Sequence, residues 1–256
     1  MGILQQFSLD GRRALITGSS RGIGLAIARA LADAGAAIVL NGRDTEALGI
    51  AAADLAAMGA NVKAVAFDVT NAESIADAIE WCERELGGLD VLVNNAGIQF
   101  RAPLQDYPLD KFERILATHV TATFAVSQAV ARGMIERRSG KIINICSVLT
   151  DHARPTAAPY GAAKAAIANL TRGMAADWAR YGLNINAIAP GFFKTDLNEA
   201  LIADPEFNAW IEKRTPMGRW GDVEELGGAA VFLASDAASF VNGHILYVDG
   251  AFTAVV

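Results

Sequence analysis

Short apolar, β-branched runs alternate with longer stretches of helical periodicity along almost the whole chain, and nothing else restricts its fold as much. Ala14-Leu15-Ile16-Thr17 precedes a helical pattern from Gly22 to Ala34, and Ala37-Ile38-Val39-Leu40 precedes one from Thr45 to Met58. Val62 to Phe67 leads into a pattern from Ala72 to Leu86, and Val91-Leu92-Val93 leads into a long helical region. Lys141-Ile142-Ile143-Asn144-Ile145-Cys146 is followed by a helix carrying Tyr160 and Lys164, and Leu183 to Ala189 and His244 to Val248 read as the last strands. Strands that are apolar continuously, rather than at every second residue, are covered on both faces. Helices between them then make a parallel sheet of the α/β class. No Pro- or Ser-rich linker and no internal repeat divides residues 1–256, so one domain is expected.

Composition narrows the function classes. With 52% hydrophobic and 20% charged residues and a mean hydropathy of +0.27, the chain has material for one large core and no mark of disorder. A net charge of −6 and a pI of about 5.1 argue against a broad phosphate-backbone footprint, so no nucleic-acid partner is expected. The longest stretch without Asp, Glu, Lys or Arg, from Ile115 to Ala131, is interrupted by His119, Thr121, Thr123, Ser127 and Gln128, which disfavours a membrane span. Met1 to Asp10 lacks a basic start followed by an apolar stretch, so no secretory leader is expected. Cys82 and Cys146 are too few for a disulfide framework and read as buried thiols of a soluble cytoplasmic protein. His152 and His244 lack a partner pattern that would hold a metal.

Between the first strand and first helix stands Thr17-Gly18-Ser19-Ser20-Arg21-Gly22-Ile23-Gly24. Glycines allow a tight turn and close backbone approach, and a helix N-terminus offers unpaired N–H groups and positive potential to a pyrophosphate. The same pattern also serves as a plain strand-to-helix turn. The second strand ends in Leu40-Asn41-Gly42-Arg43-Asp44. Arg43 and Arg21 together can meet a 2′-phosphate, which favours NADP(H) over NAD(H). Asp44 reads either as a ribose contact or as a helix cap, and Asp68 either as an acceptor for the adenine amine or as a cap of the next turn.

Tyr160 and Lys164 are four residues apart, so they share one face of their helix, and Ser147 ends the preceding strand. A cation beside a phenol favours the phenolate and makes the group usable as an acid or base near neutral pH. Hydroxyls from Ser147 and Tyr160 would supply hydrogen bonds where charge develops on a carbonyl oxygen.

In order and in spacing, Thr17-Gly18 with Gly22-Ile23-Gly24, Asn94-Asn95-Ala96-Gly97, Ser147, Tyr160 with Lys164, and Pro190-Gly191 resemble the short-chain dehydrogenase/reductase family, from Leu9 to Asp249. The resemblance implies a single-domain Rossmann fold with a doubly wound, seven-stranded parallel sheet, usually in a homotetramer. It also implies hydride transfer between a nicotinamide and a carbonyl or alcohol. On this resemblance Tyr160 is the general acid/base, Lys164 holds the nicotinamide ribose and lowers the tyrosine pKa, and Ser147 binds the substrate oxygen. Gly18, Ser20, Arg21, Gly22, Ile23, Gly24, Arg43, Asp68, Val69, Asn95, Ala96, Gly97, Pro190, Gly191, Phe193 and Thr195 are the expected cofactor contacts. Asn95 and Ala96 act through their main chain on the adenosine side, and Thr195 meets the carboxamide. One position departs from the pattern: His119 stands where the family usually has an asparagine that completes a proton relay to the lysine. It reads as a relay member or as a helix-packing histidine.

Lys141 to Ser147, Arg101 after the fourth strand, and Arg214 to Gly221 resemble a branch of the family that acts on a sugar acid. Arg101 and Arg154 are the candidate grips for a substrate carboxylate, the alternatives being solvated loop charges or bridges between subunits. The segment at about 191–222, with Phe192, Phe193, Trp210, Met217 and Trp220, reads as a substrate lid, or as interface or core. Rival readings are a 3-oxoacyl-thioester reductase or another polyol or ketone reductase of the family, and a cofactor-binding regulator without turnover.

Overall fold

In the computed structural model, which describes residues 2–195 and 198–255, seven strands form one parallel sheet. They are β1 (Arg13–Ile16), β2 (Ala37–Gly42), β3 (Val62–Ala66), β4 (Val91–Asn94), β5 (Gly140–Ile145), β6 (Leu183–Pro190) and β7 (Ile245–Val248), in the order β3-β2-β1-β4-β5-β6-β7. The connecting helices are α1 (Gly22–Asp33), α2 (Thr45–Ala57), α3 (Ala72–Leu86), α4 (Leu109–Leu116), α5 (Ala122–Arg137) and α6 (Ala158–Trp178), followed by α7 (Glu199–Ile202), α8 (Pro205–Arg214) and α9 (Gly227–Ala234). The expected strands and helices are present within one or two residues at each end. Residues 196 and 197 of the expected lid lie outside the described residues.

Successive residues of a strand point to opposite faces, which divides the core in two. Ile16, Ile38, Leu40, Val93, Ile143 and Ile188 pack with Ile27 and Leu31 of α1, Leu48 and Leu55 of α2, and Leu233 of α9. Leu15, Val39, Leu92, Ile142 and Ile185 pack with Ile75 and Ile79 of α3, Val126 and Val130 of α5, and Met174 of α6. Every residue of β4, β5 and β6 is buried, the polar Asn94, Lys141, Asn144, Asn184 and Asn186 included, which is why those strands show no alternation of apolar and exposed polar positions. The strand order reverses between β1 and β4, and in such sheets the crevice outside the strands' carboxyl ends takes the ligand.

Two departures from a plain alternation lie at that edge. Between α4 and α5 the helix widens into one π turn over Ala117–Thr121, which buries His119. Just under the crevice, Asn94 Nδ2 donates to Ser127 Oγ at 2.8 Å and to Asn144 Oδ1 at 2.9 Å, while Asn144 Nδ2 donates to Thr171 Oγ1 at 2.9 Å. This network joins β4, β5, α5 and α6 where no water reaches. Replacing Asn144, which has no exposed surface, takes one buried hydrogen bond from each of Asn94 Nδ2 and Thr171 Oγ1. Asn144→Leu is therefore expected to lower stability by about 2–4 kcal/mol, read from the midpoint of urea unfolding at unchanged slope.

Candidate active site

The glycine loop is fixed by side chains at the ends of three strands. Thr17 Oγ1 accepts the Asn95 and Ala96 N–H groups, both at 3.0 Å, and Asn95 Nδ2 donates to the carbonyls of Thr17 and Gly18. Ser19 Oγ donates to the Ile16 carbonyl at 2.7 Å and accepts Asn41 N–H, and Asn41 Nδ2 donates to the Phe67 carbonyl. A Cβ on Gly18 would lie 2.8 Å from Ala96 Cα, and one on Gly24 would lie 2.4 Å from the Gly18 carbonyl oxygen. Gly22 has φ +56° and faces open space. Arg21 caps α1 without a side-chain hydrogen bond to its first N–H groups, and Ile23 follows in the first turn. The result is a bare, rigid cradle beneath a helix N-terminus, which fits a dinucleotide pyrophosphate. The N–H groups of Asn95 and Ala96 are committed to Thr17, so these two residues brace the loop. Ser19 and Asn41, absent from the sequence-based candidates, do the same. The signal for Asn41 is a polar residue near the end of an otherwise apolar strand, and for Ser19 a hydroxyl within the glycine loop.

At the far end of the crevice Asp44 caps α2, accepting Glu46 and Ala47 N–H, which decides between its two readings. Asp68 takes the Thr70 N–H and hydroxyl on Oδ1, and these hydrogen bonds hold its carboxyl below the usual range. Its Oδ2 faces Arg43 Nη1 at 4.0 Å, and Arg43 is largely exposed, so a pair this loose leaves the guanidinium accessible to an anion. Val69, next to Asp68, is buried in the core. On the opposite side Pro190 ends β6, and a Cβ on Gly191 would come 2.7 Å from Asp249 Cα. Phe193, expected at the cofactor, has its ring in the core against Gly221, and its carbonyl accepts Asn198 Nδ2 at 2.9 Å. Thr195 is half-buried, and its carbonyl accepts Asn198 N–H.

Ser147, Tyr160 and Lys164 come together at the mouths of β5 and α6. Ser147 is buried and caps a short turn, accepting Leu149 N–H at 3.1 Å, and its hydroxyl is near enough to the Tyr160 phenol to pull its pKa down. Lys164 is 4% exposed and donates to the Ile145 carbonyl at 2.6 Å, with Nζ 5.5 Å from the Tyr160 ring centroid. The expected acidified phenol is not what this arrangement gives. Burial pushes Tyr160 up to about 12, against the smaller pull of Ser147. The ammonium lies toward the ring and a backbone carbonyl, and burial pushes it down to about 8.

His119 lies behind this group. Its ring meets Tyr160 edge-on, centroids 5.3 Å apart, and Nε2 lies 3.1 Å from Ile98 N and 2.8 Å from Ile98 O. Either tautomer satisfies one of those groups. Nδ1 is buried without a partner among the described residues. Burial, and then Lys164, push the imidazole down to about 3, so it is neutral. Gly97 makes room for it: a Cβ there would sit 2.5 Å from Cε1.

In front of Tyr160, Arg101 and Arg154 converge. Arg101 is near enough to feel the Tyr160 phenol and Arg154 to feel Arg101; in both, burial is the larger cause of a lowered pKa. Arg101 Nε is buried without a hydrogen-bond partner, and neither arginine pairs with a carboxylate among the described residues. Arg154 stacks on Phe207, in a cluster with Phe192, Trp210, Trp220 and Phe252. No group of His, Cys, Asp and Glu among the described residues could hold a metal ion, and no described helix is long and apolar enough to cross a membrane.

A family model described as enoyl-(acyl carrier protein) reductase matches residues 18–253. Gluconate 5-dehydrogenase of Gluconobacter oxydans is 55% identical over 247 residues, covering 96% of each chain. The 5-keto-D-gluconate 5-reductase of Escherichia coli is 48% identical over 250 residues, covering 98% of each. A crystal structure of a gluconate 5-dehydrogenase from Burkholderia cenocepacia, in complex with NADP and tartrate, superposes with a TM-score of 0.97 at 53% identity over the whole of both chains. The chain belongs to the short-chain dehydrogenase/reductase family and is an oxidoreductase using a nicotinamide cofactor.

The buried ammonium has a consequence for stability. A lysine whose folded pKa lies near 8 against 10.5 in the unfolded chain penalises folding below pH 8, and the penalty is relieved as pH rises from 8 to 10.5. Lys164→Met is expected to be more stable than the parent at pH 7 by on the order of 1 kcal/mol, after losing the bond to Ile145. In urea unfolding across pH 7 to 10.5, the gap should close with rising pH.

Proposed function

We propose that this member of the short-chain dehydrogenase/reductase family interconverts D-gluconate and 5-keto-D-gluconate with NADP(H). One observation carries the substrate class: two half-buried arginines, without carboxylate partners among the described residues, stand in front of the Ser147–Tyr160 pair. A planar guanidinium matches a carboxylate bidentately. The identities to relatives named for gluconate and 5-ketogluconate, and the tartrate in the Burkholderia structure, support the reading.

NADP(H), when bound, supplies or accepts the hydride. The loop Gly18, Ser20, Arg21, Gly22, Ile23 and Gly24 holds its pyrophosphate at the α1 N-terminus, and Arg43 turns from Asp68 to a 2′-phosphate. Asp68, Val69, Asn95, Ala96 and Gly97 border the adenosine side, with Pro190, Gly191, Phe193 and Thr195 around the carboxamide. Lys164 donates to a ribose hydroxyl and keeps its charge close to the phenol. Tyr160 gives a proton to the substrate oxygen in reduction and removes it in oxidation, while Ser147 donates a hydrogen bond to the same oxygen. His119 steadies the Tyr160 ring and offers its bare Nδ1 to a proton relay behind Lys164. Arg101 and Arg154 hold the carboxylate, and the segment at about 191–222 closes over it as a lid within one catalytic domain.

A cation pair at the entrance suits a small anion better than an acyl chain, which disfavours the oxoacyl-thioester reading. The intact Ser147, Tyr160 and Lys164 disfavour a regulator without turnover. A homotetramer in the cytoplasm completes the reading; the fully exposed Phe240 and half-exposed Phe124 support burial between subunits.

Wild-type protein with NADPH is expected to reduce 5-ketogluconate, followed by nicotinamide absorbance, and Tyr160→Phe to lower kcat about 10²–10⁴-fold. Turnover of neither gluconate nor 5-ketogluconate with either cofactor would refute the substrate. Arg43→Ala should weaken NADPH binding by about tenfold or more while NADH affinity stays unchanged, measured by fluorescence titration. Equal losses for the two would refute the 2′-phosphate contact.

A further inference from the structure

Arg154 is held from two sides by groups outside the hydride-transfer site. Its guanidinium carbon lies 4.3 Å from the centroid of the Phe207 ring in α8. That ring is itself wedged among Phe192, Trp210 and Trp220, with centroids 5.4–6.1 Å apart. On the other side, Arg154 opens a tight turn in which Pro155 and Thr156 are the central residues and Ala157 N–H donates to the Arg154 carbonyl at 3.3 Å. Thr156 has φ +67°, a left-handed conformation that glycine or asparagine fills at this place in a turn and that strains a β-branched residue. Strain of this kind persists where the surroundings impose it and clusters at functional sites. The turn runs directly into α6, whose third residue is Tyr160.

A guanidinium with one face on an aromatic ring keeps its N–H donors, which point outward in its own plane, for an anion. Arg101 lies near it, its Nε buried and without a partner among the described residues. Two like charges held together, half out of water, are most stable with an anion between them. We propose that Phe207 is a specificity-determining positioning residue, which fixes Arg154 so that the two arginines select a substrate with a terminal carboxylate over its neutral polyol counterpart. The inference rests on the sugar-acid reading and goes beyond it in assigning selectivity to a ring on the lid.

The test titrates D-gluconate calorimetrically into NADPH-saturated protein, where no turnover occurs, and compares kcat and KM for gluconate and D-glucitol. Phe207→Leu should weaken gluconate binding and raise its KM by about tenfold, leaving kcat and any glucitol turnover within about twofold. Phe207→Tyr, which keeps the ring face, should behave as wild type. In an Arg154→Ala background Phe207→Leu should add nothing, because the ring then has no guanidinium to hold. The proposal is overturned if Phe207→Leu leaves gluconate affinity unchanged, if it impairs glucitol equally, or if its effect persists without Arg154. Wild-type protein that does not bind gluconate overturns the sugar-acid reading, and this proposal with it.

Discussion

Lys164 carries an ammonium into a place where, among the described residues, no carboxylate meets it, and the organisation of the site follows from how that charge is held. Its ammonium donates to the carbonyl of Ile145, at the end of β5, and its surface is almost wholly buried. A buried cation with a single neutral acceptor is costly to keep charged, which is why burial brings its pKa down toward neutrality. The carbonyl must therefore be immovable. The Asn94–Asn144–Thr171 network below it keeps β4, β5 and α6 from shifting apart, so the lysine, the phenol one turn away and Ser147 stay in one place. Stability is given up here for a charge positioned where a ribose hydroxyl and a developing phenolate can use it.

The same economy of water extends outward. His119 fills the space behind Tyr160 with a neutral ring, and Gly97 is bare because that ring needs the room. In front, the entrance is cationic rather than apolar, and the aromatic cluster around Phe192 backs one of its two arginines. The crevice thus grades from a glycine cradle open to phosphate, through a dry proton-transfer centre, to a mouth suited to an anion.

Much of this was legible in the sequence because the physics is local or strongly periodic. Continuous apolar runs announced buried parallel strands, and the four-residue spacing of Tyr160 and Lys164 announced a shared helix face. Other features were hidden for definite reasons. The π turn at His119 has the same apolar pattern as an ordinary helix and differs only in its hydrogen-bond register. Asp44 and Asp68 each had two sound local readings, and only the backbone conformation showed the first as a cap. The rise in the Tyr160 pKa follows from burial, which a sequence spacing does not report. The stacking of Arg154 on Phe207 joins residues far apart in the chain, and no local rule pairs them.

The central claim is that Ser147, Tyr160 and Lys164 serve hydride transfer at a carbon of a sugar acid. Its most direct test is isotopic: 5-keto-D-gluconate is reduced with NADPH deuterated at the transferring position of the nicotinamide, and the product is read by NMR. The account predicts gluconate carrying one deuterium at C5. Deuterium at another carbon, or none in the product, would contradict it.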